Sequence, residues 1–396
     1  MTRLPTIQTE SISLQSKFTL DVIQIAKEVF GSDWEIVLDA LSKPVRTYYV
    51  RCNTFKTTSE DLRTRLERQG IDVAVSSAIP EALGIRIDGP FEIPIRNQLI
   101  VVDKQTAESV LQGANVYAPG IVNCDSVHVG DLVTVISELG EPLASGKAVM
   151  TANEILTFRK GLAIRLDFHR FSGPQVRDLQ EHVEGLLYPQ SLCAMATARV
   201  LDPQPCEMVV DMNCAPGGKL SHISQLMKNT GQVLGFDRNS AKIARTRKVV
   251  TDLGCSNVVL AVHDSRYLDA DFPGLKADRV LIDPPCSALG IRPKVYDFTK
   301  RERVESLANY QKQFLNTASK IVKPGGTIVY SVCTFTSQEC EGIVEYAERE
   351  CNLRTVEQKP FLGSNGLSTP CRSGSLCQRF HPHLHELGYF IAKFER

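Results

Sequence analysis

The stretch Met208-Val209-Val210-Asp211-Met212-Asn213-Cys214-Ala215-Pro216-Gly217-Gly218-Lys219 decides the fold. An apolar run of strand length ends in a carboxylate. A turn of small residues with two glycines follows, then a segment that reads as a helix. Working outward, residues 232–237, 257–262 and 279–283 repeat the pattern of an apolar strand ending near an aspartate. Residues 327–332 form a fifth such run after the turn Lys323-Pro324-Gly325-Gly326. Helical stretches separate the five runs, and residues 387–394 add a late strand. This alternation predicts an α/β fold with a Rossmann-like, doubly wound, mostly parallel sheet.

Such sheets bind ligands beyond the carboxyl ends of their strands. The residues expected there are Asp211, the loop from Asn213 to Lys219, Asp237, Asp264, and the sequence Asp283-Pro284-Pro285-Cys286. The glycines of the loop let a ligand approach the backbone closely. Asp237 suits a pair of ribose hydroxyls, and Asp264 an adenine amino group. One such aspartate reads equally well as a helix N-cap; a set at successive strand ends points to a site. No G-x-G-x-x-G and no Walker A sequence is present, which argues against dinucleotide and nucleoside triphosphate readings. Cys286 and Cys333 fall at neighbouring strand ends. A lone strand cysteine is usually a small buried hydrophobe, but two so placed, one after Asp-Pro-Pro, read as reactive thiols.

NCAPGGKL (213–220), the Asp237 and Asp264 strand ends, DPPCSALG (283–290), SVCTFTSQECE (331–341) and the tail RFHPHLHELGYFIAKF (379–394) together resemble the RNA cytosine-5 methyltransferases of the Nol/Nop/Sun family. The resemblance implies an S-adenosyl-L-methionine site made by Asn213, Cys214, Ala215, Pro216, Gly217, Gly218, Lys219, Asp237, Asp264 and Asp283. It implies that Cys333 is the nucleophile, adding to carbon 6 of cytosine, and that Cys286 assists proton removal and release. Asp283 would hydrogen-bond nitrogen 3 or the amino group of the base, and Lys219 would favour the thiolate or orient the base. Covalent addition turns one hard step into easier ones. The chain departs from the family pattern at Asn213, Leu220, Val332 and Cys340 without losing a catalytic atom.

Residues 97–167 read as short strands with Gly-rich turns. Two strands are expected to meet at Gly130-Asp131, and another to begin at Gly146. The text of residues 101–135, 146–156 and 161–166 resembles a PUA domain, a small β-barrel that binds structured RNA. A surface of Lys147, Arg159, Lys160, Arg165 and Arg170 would face phosphates. Residues 1–96 read as an α/β segment with a strand at 48–52 and a helix at 59–69. Its basic residues Arg51, Lys56, Arg63, Arg65 and Arg68 read as a solvated face. Residues 168–396 form the methyltransferase domain. The PUA-containing branch of the family acts on tRNA, on cytosine 72 of the acceptor stem beside the CCA end, where end bases are accessible.

Lys plus Arg and Asp plus Glu each total 45, so binding to RNA must come from local patches rather than net charge. The 12 cysteines show no disulfide framework and no C-x-x-C pair, so neither a bridged fold nor a metal site is expected. The sequence shows no signal peptide at MTRLPTIQTE and no apolar run of about 18 residues. A monomeric enzyme of the cytoplasm, with no membrane partner, is expected. Two other readings compete. An RNA-binding protein with an inactive methyltransferase domain would bind cofactor without turnover. An exocyclic amino methyltransferase would want an aromatic residue where Cys286 stands.

Overall fold

Asp211 ends the middle one of five parallel strands in a nine-stranded sheet of the computed structural model, which describes residues 5–8 and 12–396. The strands that matter are β1 (Met208–Asp211), β2 (Gln232–Asp237), β3 (Val258–Val262), β4 (Ala277–Ile282), β5 (Val322–Val332) and β6 (Tyr389–Glu395). Their order is β3-β2-β1-β4-β5-β6, continued by the short strands Gln378–Phe380 and Ser364–Asn365. The first five are parallel and β6 is antiparallel. Chain direction therefore switches sides between β1 and β4, where a crevice opens at the carboxyl ends.

Residues on these strands alternate between two cores, as the period-2 pleat requires. Val210, Val280, Ile328 and Tyr330 lie in one core, and Val209, Leu281 and Val329 in the other. All seven are fully buried. Both faces are covered by helices, among them α1 (Gly218–Leu226), α2 (Ser240–Asp252), α3 (Arg301–Ile321) and α4 (Glu341–Glu350). Continuous apolar runs, rather than alternating ones, are the mark of such strands. Each large aliphatic side chain so buried contributes about 1.5–3 kcal/mol.

The described chain divides into two compact units, which interleave in sequence. One comprises 1–48, 86–175 and 292–298; the other comprises 49–85, 176–291 and 299–396. The segment 1–96, expected as one α/β piece, is thus shared between them. Residues 49–85 belong with the large sheet because their polar groups find partners there. Glu81 is buried and bonds Arg199 (2.8 and 2.5 Å) and His222 Nε2 (2.6 Å). Burial pushes His222 down to about 4. Arg51 is not solvated either: it bonds Gln190, the Gly218 carbonyl (2.7 Å) and Ser221 Oγ (2.7 Å). Lys56 donates to the carbonyls of Glu184 and Asp252. Arg63 pairs with Glu60 and Glu67 on its own exposed helix, as a solvated face requires.

In the other unit, helices Leu20–Phe30 and Trp34–Leu41 accompany a six-stranded sheet. Of the two strands expected to meet at Gly130-Asp131, only the second forms, Leu132–Ser137. The Asp131 carboxylate accepts the His128 N–H (2.7 Å), and Gly130 at φ +102° folds 128–131 into a turn. The strand expected from Gly146 begins at Pro142, because the chain already reverses at Gly140 (φ +81°). Arg159 donates to the carbonyls of Pro119 (2.7 Å) and Ile121, and Arg170 pairs with Glu141. Lys147, Lys160 and Arg165 are exposed.

In the large sheet, β5 starts at Val322, not at residue 327, with the Pro-Gly-Gly stretch as an irregularity between two paired ends. No helix among the described residues is long and apolar enough to cross a membrane.

Candidate active site

Asp283 stands one residue past β4 and Cys333 one past β5, so adjacent parallel strands deliver both to the crevice. Cys286 is not at a strand end as expected. It lies in the loop after β4, and Gly290 brings that loop back. The Gly290 N–H donates to the Cys333 carbonyl (3.1 Å), and the Gly290 carbonyl accepts from Gly388 (2.8 Å). A Cβ on Gly290 would sit 1.9 Å from the Gly388 carbonyl oxygen, so only glycine permits this backbone-on-backbone contact.

The result is a sulfur–sulfur distance of 3.4 Å between Cys286 and Cys333, a hydrogen bond and not a disulfide. The contact acts on the two thiols in opposite directions. The Cys286 S–H bond holds the Cys333 thiol below its ordinary value, and the Lys219 ammonium acts in the same direction against burial and Asp283. Cys286 is pushed up by that same bond, by burial and by Glu339. The arrangement makes Cys333 the better thiolate. Lys219 Nζ lies 2.6 Å from Asp283 Oδ2, and Ser331 Oγ donates to Asp283 Oδ1 (2.9 Å). Despite burial, Asp283 and Tyr389 raise the Lys219 ammonium above its ordinary value, so it stays charged.

Cys286, Cys333, Asp283, Asn213, Ala215, Asp237 and Asp264 line one cavity of about 320 Å³. A second space of about 210 Å³ shares Asn213, Ala215 and Asp283 with it and is lined by Cys214 and the Pro216–Lys219 loop. Every site residue expected from sequence therefore touches one of two adjoining spaces. Gly217 takes φ +107°, a conformation that begins α1 without a side-chain cap. The Cys214 side chain is buried in the core, so its contribution is through the backbone. Asp237 accepts from the Asn239 N–H (2.9 Å). Asp264 is less free than expected: Arg266 grips both its oxygens (3.0 and 2.6 Å) and holds its carboxyl below the usual range. Arg266 in turn lies 4.7 Å from the centre of the Tyr310 ring, which also lines the cavity.

Asp211, expected at the ligand end of its strand but given no role by the sequence, lines the second space. It is buried beside Asp283 and Asp237, and burial raises its carboxyl to about 7. A carboxyl raised in the folded state binds protons that the unfolded state has released. Stability from this group is thus full below about pH 3.8 and is lost as pH rises toward 7. Asp211→Asn keeps an acceptor for the Asn213 N–H (3.1 Å). We expect it to match the parent in thermal melting near pH 4 and to exceed it at pH 8 by up to about 4 kcal/mol. Equal melting at both pH values would refute this.

The protein-family profile described as 16S rRNA methyltransferase RsmB/F matches residues 198–395, and that of the PUA domain matches 98–170. The tRNA (cytosine(72)-C(5))-methyltransferase of Pyrococcus horikoshii is 36% identical over 96% of this chain and 97% of its own. The tRNA (cytosine(72)-C(5))-methyltransferase NSUN6 of Mus musculus is 30% identical over 84% of this chain and 78% of its own. The crystal structure of NSun6 from Pyrococcus horikoshii with SFG superposes with a TM-score of 0.90 at 35% identity, covering 96% of this chain and 99% of that one.

Proposed function

Since this chain belongs to the RNA cytosine-5 methyltransferase family, we propose that it methylates cytosine 72 of tRNA near the CCA end, with S-adenosyl-L-methionine as methyl donor and Cys333 as nucleophile. The observation that carries the reading is the Cys286–Cys333 hydrogen bond beside the Lys219–Asp283 pair. S-adenosyl-L-methionine, when bound, supplies an electrophilic methyl group. The residues present fit it. Asp237 and Asp264 offer carboxylates to a ribose and an amino group, and the buried Asn213 Oδ1 lacks a partner in the described protein. The Pro216–Lys219 turn leaves room beside the backbone.

The chemistry of the chain's own residues follows. The Cys333 thiolate forms a bond to carbon 6, and the electron pair of the 5,6 double bond moves toward nitrogen 3. Asp283, held by Lys219, is the acid suited to passing a proton to nitrogen 3, which neutralises the charge arriving there. Carbon 5 then takes the methyl group. Its proton leaves with help from Cys286, the double bond re-forms, and Cys333 departs with the carbon–sulfur pair. Pro284, Pro285 and Phe314 give the cavity an apolar wall.

Residues 97–167 act as the module that receives the tRNA end, with Lys147, Lys160 and Arg165 available to phosphates. Residues 168–396 carry the chemistry. The twelve free cysteines suit the reducing cytoplasm, and the enzyme acts as a monomer. The test is methylation of a tRNA with and without its CCA tail. We expect the trimmed substrate to lose at least about tenfold in rate, as when a few phosphate and base contacts of about 1.4 kcal/mol are removed. Equal rates on both would sink the acceptor-end reading.

A further inference from the structure

We propose that Glu339 is a positioning residue that sets the distance between the two cysteines by fastening both flanks of Cys286. The proposal rests on the reading of Cys333 as nucleophile and Cys286 as its partner. Glu339 is fully buried in the turn just before α4. Its Oε1 accepts from the Ser287 N–H (2.9 Å) and from Gln311 Nε2 (2.9 Å). Its Oε2 accepts from Ser287 Oγ (2.5 Å) and Thr336 Oγ1 (2.9 Å). Gln311 Nε2 also donates to the Pro285 carbonyl (3.0 Å). Ser287 is therefore tied to the carboxylate directly and Pro285 through Gln311, with Cys286 between them.

The clamp reaches the other cysteine as well. Ser287 Oγ lies 2.7 Å from Thr334 Oγ1, next to Cys333. The Tyr330 hydroxyl, on β5, lies 2.9 Å from Gln311 Oε1 and 2.8 Å from the Glu339 carbonyl. The Pro285 carbonyl and Glu339 Oε1 can only accept, which fixes the Gln311 amide with its nitrogen toward them. A buried carboxylate surrounded only by neutral donors is costly to desolvate, so its charge needs a reason. Here that charge faces Cys286 and disfavours a thiolate there. Glu339 thereby raises the Cys286 thiol, while the bond between the two sulfurs lowers Cys333. The charged groups facing the pair are Glu339 beside Cys286, and Lys219 and Asp283 beside Cys333, with the Tyr330 hydroxyl also near.

The experiment compares wild type with Glu339→Gln in the full-length protein. Alkylation of each cysteine by iodoacetamide is followed from pH 6 to 10 by peptide mass spectrometry, without RNA, and methyl transfer to tRNA is measured in parallel. We expect Cys286 alkylation to rise about tenfold at pH 8, the effect of one unit of proton affinity. Cys333 alkylation should shift to higher pH, and methyl transfer should fall about 100-fold, as for a misplaced reacting group. Unchanged alkylation profiles overturn the proposal, even if methyl transfer falls. The nucleophile reading fails separately, if Cys333→Ala still methylates tRNA. Should Glu339→Gln melt below the assay temperature, Ser287→Ala takes its place, since it removes the hydroxyl that joins Glu339 Oε2 to Thr334 Oγ1 but keeps the Ser287 N–H bond to Glu339 Oε1. An altered Cys286 to Cys333 labelling ratio then supports the clamp, and an unchanged ratio overturns it.

Discussion

Cys286→Ala protein, incubated with S-adenosylmethionine and tRNA, is expected to run on a denaturing gel with a slow-migrating protein–RNA band that the Cys286→Ala/Cys333→Ala double variant lacks. The geometry gives the reason. The two sulfurs are 3.4 Å apart, Cys333 is the thiol held low, and Cys286 is the one held high. Removing Cys286 leaves the proposed nucleophile in place but takes away the group nearest to it for moving the carbon 5 proton. Addition then proceeds and release stalls. Removing Cys333 removes the bond-forming atom itself, so methyl transfer should fall by about 10⁴-fold or more, the range seen when a covalent nucleophile is deleted. A band that persists in the double variant would show a different nucleophile. A band that appears with Cys333→Ala alone and not with Cys286→Ala would mean that the two roles are exchanged.

The second large effect is at Lys219. Lys219→Met is expected to lower methyl transfer about 10²–10³-fold, the usual loss for one preorganised donor at a developing charge. It should also move the acid limb of the rate profile to higher pH. The sign follows from the charges: the Lys219 ammonium lowers the Cys333 thiol, so removing it raises that thiol. Asp283 acts on Cys333 in the opposite sense, so Asp283→Asn should move the same limb to lower pH while also losing rate. Opposite shifts are a signature that general damage to the site does not produce. If both variants move the limb in one direction, this pair does not tune the thiol. Lys219→Met also leaves Asp283 without its cation. Its side chain keeps 28% of its surface exposed, so the loss in stability should fall below the about 3–5 kcal/mol of a fully buried pair. Urea titration of the variant measures it.

Most of the large-sheet unit is legible in the sequence. Strands buried on both faces must be apolar throughout, so β1, β2, β3 and β4 read as runs within a residue or two of their true ends. Loops that touch a ligand carry special residues, so the 213–219 turn, Asp237, Asp264, Asp283, Cys286 and Cys333 all stood out. What blurred the reading was local backbone detail. The Pro-Gly-Gly stretch inside β5 reads as a turn, yet its two ends pair with Ala277 and Arg279. Val127 to Val129 has strand composition, yet the Asp131 side chain takes the N–H that a neighbouring strand would have needed.

The candidate residues at the strand ends are legible in the sequence because several of them recur together at equivalent places in a βαβ repeat, where one alone would have a bland reading. The tertiary structure alone decided how the residues act together. Glu81 meets Arg199 and His222 across 118 and 141 positions, which draws residues 49–85 into the catalytic unit. Glu339 reaches Ser287 across 52 positions. Which of two cysteines keeps the proton depends on the charges that surround each one, and those are brought together only when the chain folds. Short-range patterns are written in neighbouring residues; electrostatics and long-range hydrogen bonds are functions of distance in space.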